Sequence, residues 1–311
     1  MTHKLIPHQR SDIAAKQILQ DLLLILQNNT QPVIDDIDTE FLHHFRIAVR
    51  RTRVLLSQLP GIFPTRPTKQ FINRFKELGA MTTQLRDLDV LLEEFTDYET
   101  IICASKDHDL DAFKAYIEQQ RHHQLNYLKH YLRSRSYEKF INRWQLFLGT
   151  PCPENSRLPN AILPIDEFLG KRTWRSYRRV LRDGTRITDQ SASAELHALR
   201  KNSKKLRYLI EFGQSLHSKK KIRKALKIMK RLQNILGKFQ DLSVHLYYLK
   251  DVQAQMAEEK ILSEENNKAI KAIINKLKQQ QQHCRGNFHK AFTEFSSETN
   301  QVFFTALFKK Q

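Results

Sequence analysis

Residues 42–90 of this chain recur as residues 196–244, and no other feature of the sequence limits its architecture so tightly. The offset is 197 − 43 = 154 for His43 and His197. Arg46 with Arg200, Arg50 with Lys204, Arg51 with Lys205 and Arg53 with Arg207 keep it. Lys76 with Lys230, Leu78 with Leu232, Asp87 with Asp241, Leu88 with Leu242 and Val90 with Val244 keep it still, without a gap. Chance likeness between two basic segments would not carry an aspartate into register so far downstream. A spacing held over this length indicates internal duplication.

The repeated unit reads as helical. Apolar residues recur at i, i+3, i+4 through most of the chain, which predicts helices over 9–28, 40–59, 68–95, 108–132, 137–148, 164–183, 193–216, 219–256, 262–284 and 286–308. Only 8 Gly and 9 Pro occur in 311 residues, well below the usual roughly 7% and 5%, so the chain lacks the turn residues a sheet protein needs. Thr39 and Ser193 stand at matching places as expected N-caps. The Pro-rich stretch around Pro151, Pro153 and Pro159 is the expected linker, residues 150–163, between halves 1–149 and 164–311. The expected fold is all-α: two similar antiparallel four-helix bundles related by an approximate two-fold.

Charge narrows the partner. Lys and Arg total 52 against 33 Asp and Glu, a formal net charge of +19, which attracts polyanions: nucleic acid, acidic membrane or polyphosphate. Cys103, Cys152 and Cys284 are odd in number and far apart, so reduced thiols are expected rather than disulfides or a zinc site. No segment reaches the roughly 18 apolar residues of a membrane span, and the apolar run Leu22–Leu26 is too short for a signal peptide. A cytoplasmic protein is expected.

Two stripes carry the function. On a helix, His43, Arg46, Arg50 and Arg53 fall within an arc of roughly 80°, and the centre of the arc formed by Leu42, Phe45, Val49 and Leu56 lies only about 90° away. His197, Arg200, Lys204 and Arg207 repeat this beside Leu196, Leu199 and Ile210. A solubilising face would point away from the core. These cations flank it, so they should line a groove or the junction of the bundles. Like charges so placed are quiet only beside carboxylates or a bound polyanion. Asp87 and Asp241 are expected to pair with a stripe Arg and fix its rotamer. Further cations lie in Lys171–Arg182, in Lys219–Arg231, and at Arg121, Lys129 and Arg133.

With these residues in view the chain resembles the CHAD family, the conserved-histidine α-helical domain. The likeness rests on His43-x-x-Arg46 with Arg50, Arg51 and Arg53, on Lys76-Glu-Leu and Leu85-Arg-Asp-Leu-Asp-Val-Leu91, on Leu196-His-x-Leu-Arg-Lys201 with Lys204-Lys-Leu-Arg-Tyr208, and on Leu232-Gln-Asn-Ile-Leu-Gly237 with Asp241-Leu. It implies two four-helix bundles about a pseudo-two-fold, with a basic groove or pore between them that binds inorganic polyphosphate. It places His43, Arg46, Arg50, Arg53, Lys76, Arg86, His197, Arg200, Lys204, Arg207 and Lys230 at the family's basic positions. Arg51, Arg121, Lys201 and Lys205 complete the expected set. Arg86 becomes Gln240 in the second half, and Thr82-Thr83 stands where the family favours a Leu-Gly-like pair. The ExExK motif of the triphosphate tunnel domain fused to some members is absent from this sequence.

The expected activity is binding without catalysis or cofactor, and polyphosphate granules are an expected place of association. Binding is expected to tighten as pH falls from about 7.5 to 6, through protonation of His43 and His197. A nucleic-acid binder is the first rival, weakened by the lack of aromatics interleaved with the stripes. A metal-dependent phosphohydrolase using His43, His44, Asp87 and Asp89 is the second, weakened by the cations that would crowd its metal.

Overall fold

A computed structural model describes residues 4–102 and 110–309. Cys103 and the expected start of a helix at 108 lie outside the described residues. The fold is all-α. Eleven α-helices are described: α1 Ser11–Asp35, α2 Thr39–Gln58, α3 Thr65–Glu93, α4 Phe95–Ile102, α5 Asp111–Leu132, α6 Arg135–Gly149, α7 Ile165–Thr185, α8 Ser193–Phe212, α9 Lys219–Glu258, α10 Glu264–Phe295 and α11 Glu298–Phe308. The starts of α1 and α7, α2 and α8, and α3 and α9 keep the sequence spacing (165 − 11 = 193 − 39 = 219 − 65 = 154).

Local chemistry explains where the helices depart from expectation. α1 runs past the predicted end at 28 and takes Pro32 into its last turns. There Asn29 and Thr30 return their side chains to the carbonyls of Ile25 and Leu26, and Asp36 closes the helix in a left-handed conformation at φ 56°. The break expected at 285, between the helices predicted over 262–284 and 286–308, does not occur: α10 runs on through Gly286, where an added β-carbon would meet nothing within 4 Å, and the chain turns instead at Ser296 and Ser297. Thr39 and Ser193 are first helical residues rather than caps. Asp38 accepts from the Glu40 N–H, and the Glu195 carboxylate accepts from the Ala192 N–H.

Within the first half α1 packs on α2, α2 on α3 and α3 on α5. Within the second α7 packs on α8, α8 on α9 and α9 on α10. α2 meets α8, α3 meets α9, and α4 meets α10. Two apolar cores result, and each draws from both sides of residue 150. One gathers Phe45, Phe75, Leu128 and Trp144 with Ile165, Phe168, Leu209 and Phe212. The other gathers Met229, Leu236, Ile270 and Phe288 with Leu91, Tyr98, Phe113 and Ile117.

The segment from 150 to 164 is pinned to the first half. The Ser11 and Asp12 N–H groups donate to the carbonyls of Leu163 and Ala161 at 2.9 and 3.1 Å, and the Ile165 N–H donates to Gln9 at 2.8 Å. The Arg10 guanidinium holds the carbonyls of Pro153 and Glu154. Gly61, at φ 75°, lets Asn160 approach so closely that a β-carbon would sit 2.9 Å from its amide nitrogen.

Candidate functional site

α2 and α8 carry the two basic stripes; α2 meets α8, α8 packs on α9, and part of each stripe lines one cavity, while Arg46, Arg53 and His197 are not among its lining residues. The cavity's volume is about 310 Å³. His43, Arg50 and Arg51 enter from α2, Arg200, Lys204 and Arg207 from α8, and Gln233 and Asn234 from α9. Arg200, Lys204, Gln233 and Asn234 also line a second cavity of about 620 Å³, which continues between α9, α10 and α4 past Lys238 to His245, Glu94 and Asp97. The two cavities make one groove, cationic at its narrow end and mixed in charge at its wide end. A hollow of about 650 Å³ between α3 and α6 is separate and rests on Phe71 and Phe140.

The electrostatics of the groove are those of crowded cations. Burial is the main cause that brings the Lys204 ammonium down to a pKa of about 7; Arg200 and Arg50 add to it and Asp241 opposes it. Arg46 is brought down to about 10, by burial first and then by Arg50. Arg53 and Arg200 are lowered for the same first reason. His43 is lowered by burial, with Arg86 adding to the effect, so its imidazole stays neutral to lower pH than an exposed one. The pH window expected of His43 is thus pushed downward, and Lys204, at about 7, titrates within it.

Several of the expected residues are held by the protein itself. The Glu211 carboxylate accepts from Arg51 and from Arg207 Nε, the latter at 2.6 Å, and Arg51 also lies 5.5 Å from the centre of the Tyr208 ring. Arg200 donates to Asp241 at 3.0 Å, as its spacing predicts. Asp87 meets the Tyr248 hydroxyl and lies near Arg46, which itself donates to Thr82 at 2.8 Å and to Thr83 at 3.3 Å. His197 bonds Gln240. Arg86 pairs with Glu93 at 2.9 Å. Arg121 lies away from the groove, held by Asp36 and by buried Asp89, both at 2.7 Å. Lys76, Lys201 and Lys230 are exposed and do not line the cavity, and Lys205 is half-buried towards Arg179. Among the described residues no ion pair reaches Arg50, Lys204 or Arg53.

Glu211, Gln233, Lys238 and His245 shape the groove without having been singled out for the site from the sequence. Their counterparts at the repeat offset are Ser57, Gly79, Gln84 and Leu91, so the duplication hides them. The signal that would have found them is the α9 face on which Asn234, Lys238, Asp241 and His245 succeed one another at helical spacing. Among the described residues, no three of His, Cys, Asp and Glu gather as a metal site would require. No helix among them is long and apolar enough to cross a membrane.

A family model described as the CHAD domain matches residues 17–250. The chain belongs to the CHAD domain family. The CHAD fold is also seen by shape. The crystal structure of the CHAD domain from the plant Ricinus communis is similar at a TM-score of 0.78, with 22% identity, over 96% of this chain and 95% of that one. PptA from Streptomyces chartreusis is similar at 0.69, with 12% identity, over 92% of this chain and 100% of that one. A comparison with curated proteins finds no match. The CHAD match takes in both stripes and most of α9, so the narrow end of the groove lies within the family's own part of the chain, while the α10 wall of the wide end lies beyond it.

Proposed function

We propose that this CHAD protein holds inorganic polyphosphate, without turnover, in the groove between α2, α8 and α9. The observation that carries the reading is the meeting of Arg50 and Lys204, one from each repeated stripe, in one cavity without a carboxylate partner among the described residues. Half-burying such a pair costs free energy that a ligand of repeating negative charge returns. Arg50 and Arg200 can clasp phosphate oxygens in two-pronged fashion, Lys204 supplies a movable point charge, and Gln233 and Asn234 offer neutral donors. The two stripes bring cations from matching positions on α2 and α8, Arg50 and Lys204, which suits a ligand whose own charges repeat.

Calorimetry with size-defined polyphosphate tests the reading. Arg50→Ala with Lys204→Ala should weaken binding at least about a hundredfold, two charge-assisted contacts being worth roughly 1.5–3 kcal/mol each. An unchanged titration by the folded double variant would sink it. Phosphate release from pure polyphosphate with Mg²⁺ or Mn²⁺ would overturn the non-catalytic part. Nucleic acid is the second reading, supported by the net charge alone. At the cationic narrow end the aromatic that lines the groove is Tyr208, with Arg51 5.5 Å from the centre of its ring, a poor platform for stacked bases. Polyphosphate should therefore displace RNA at equal phosphate concentration.

A further inference from the structure

A second basic surface lies on the other side of α8. Lys201 and Lys205 point about 100° round that helix from the groove-lining Arg200, Lys204 and Arg207. α7 packs against α8, and on the facing strip of α7, by helical spacing, stand Arg172, Arg175 and Arg179. Asp183 ends the same strip and hydrogen-bonds Asn202 of α8 at 2.9 Å, which fixes the two helices face to face there.

This strip is built differently from a solvated charge run. Arg172 and Lys205 are half-buried, and the Arg172 Nε is enclosed without a hydrogen-bond partner. Asp183 is already engaged by Arg182 at 2.9 Å and by Asn202. No ion pair reaches the five cations among the described residues. Burial, then the charges of its neighbours, lowers Lys205 and Arg172 together. Arg175, Arg179 and Lys201 are exposed, so the approach is open.

We infer that the α7–α8 flank is a second site for linear polyphosphate, reached by a chain that leaves the groove and passes over α8. The strip has cations in a row and no exposed aromatic among them, which favours phosphate oxygens over bases. A helix with its side chains is about 10–12 Å across, so a short oligophosphate in the groove cannot span to the flank while a long chain can. Tethered in this way, the second contact is intramolecular and adds affinity without altering the groove.

The inference rests on the groove reading, and two ligands separate them. Tripolyphosphate reports on the groove, and a chain of about a hundred phosphates on both sites. The variant Arg175→Gln/Arg179→Gln/Lys205→Gln should bind tripolyphosphate within about twofold of the unmodified protein and lose about tenfold or more for the long chain. Arg50→Ala/Lys204→Ala should retain a weak phase with the long chain that the flank substitutions then remove. Equal long-chain affinity in the flank variant, with thermal unfolding unchanged, would overturn the second site and leave the groove standing. Loss of tripolyphosphate binding in that variant would also overturn it, because the flank would then belong to the groove. If the unmodified protein ignores tripolyphosphate and Arg50→Ala/Lys204→Ala binds long chains normally, the groove reading fails, whatever the flank does.

Discussion

Lys204 sets the pH response. Its pKa of about 7 lies below the usual lysine value of 10.5, so between those values the unfolded chain holds a proton that the folded one has shed. The residue therefore costs stability below about pH 7, and that cost fades as pH rises towards 10.5. A polyanion reverses the preference and draws the proton back. Affinity should fall as pH rises from 7 to 9, by up to about tenfold per unit, and Lys204→Arg should flatten that slope because Arg keeps its charge. Titrations at three pH values decide it; equal slopes in both proteins would remove Lys204 as the cause. Lys204→Met should raise the unfolding temperature at pH 7 while weakening polyphosphate binding. Glu211 is the opposite case: Glu211→Gln frees Arg51 and Arg207 and should tighten polyphosphate binding a few-fold in the same calorimetric assay. The stripe residues were legible because helical spacing and the repeat both mark them. Glu211 and His245 were not, because each has an apolar or neutral counterpart in the other half and acts through a fold-made neighbour.

At the scale of the helix, glycine gives a paired test. A β-carbon at Gly184 would lie 2.0 Å from the Phe292 ring, so α7 and α10 touch there backbone to side chain. Gly184→Ala should cost at least about 1–3 kcal/mol through overpacking. Gly286 in α10 meets nothing within 4 Å, and Gly286→Ala should add roughly 0.5–1 kcal/mol through helix propensity. Urea midpoints moving in opposite directions are the expected result. Periodicity made nearly every helix readable, since an amphipathic stripe needs only local sequence. The misjudged ends share one cause: Pro32 and Gly286 are breakers in isolation, but side-chain bonds from Asn29 and Thr30 support the first and continuous burial of Cys284 and Phe288 carries the helix past the second. No local rule contains such support.

For the molecule as a whole, binding should weaken steeply with salt, and Arg50→Ala/Lys204→Ala should make the slope of log K against log salt shallower by about two. Residues 1–149 expressed alone would expose the surface of Phe45 and Trp144 that Ile165, Phe168, Leu209 and Phe212 cover; circular dichroism with broad thermal melting is expected, and a cooperative, unfolding-competent half would contradict the shared cores. The sequence repeat pointed to two similar halves, but it held no sign that each apolar core draws on residues from both sides of residue 150, because that depends on how helices meet across the groove.

The fastening of residues 150–164 has a practical outcome. That stretch joins the two halves along the backbone, yet both cores would stay interlocked if it were severed. A protease that nicks it should yield a particle running as one species in gel filtration and as two bands once denatured, still able to capture its anion.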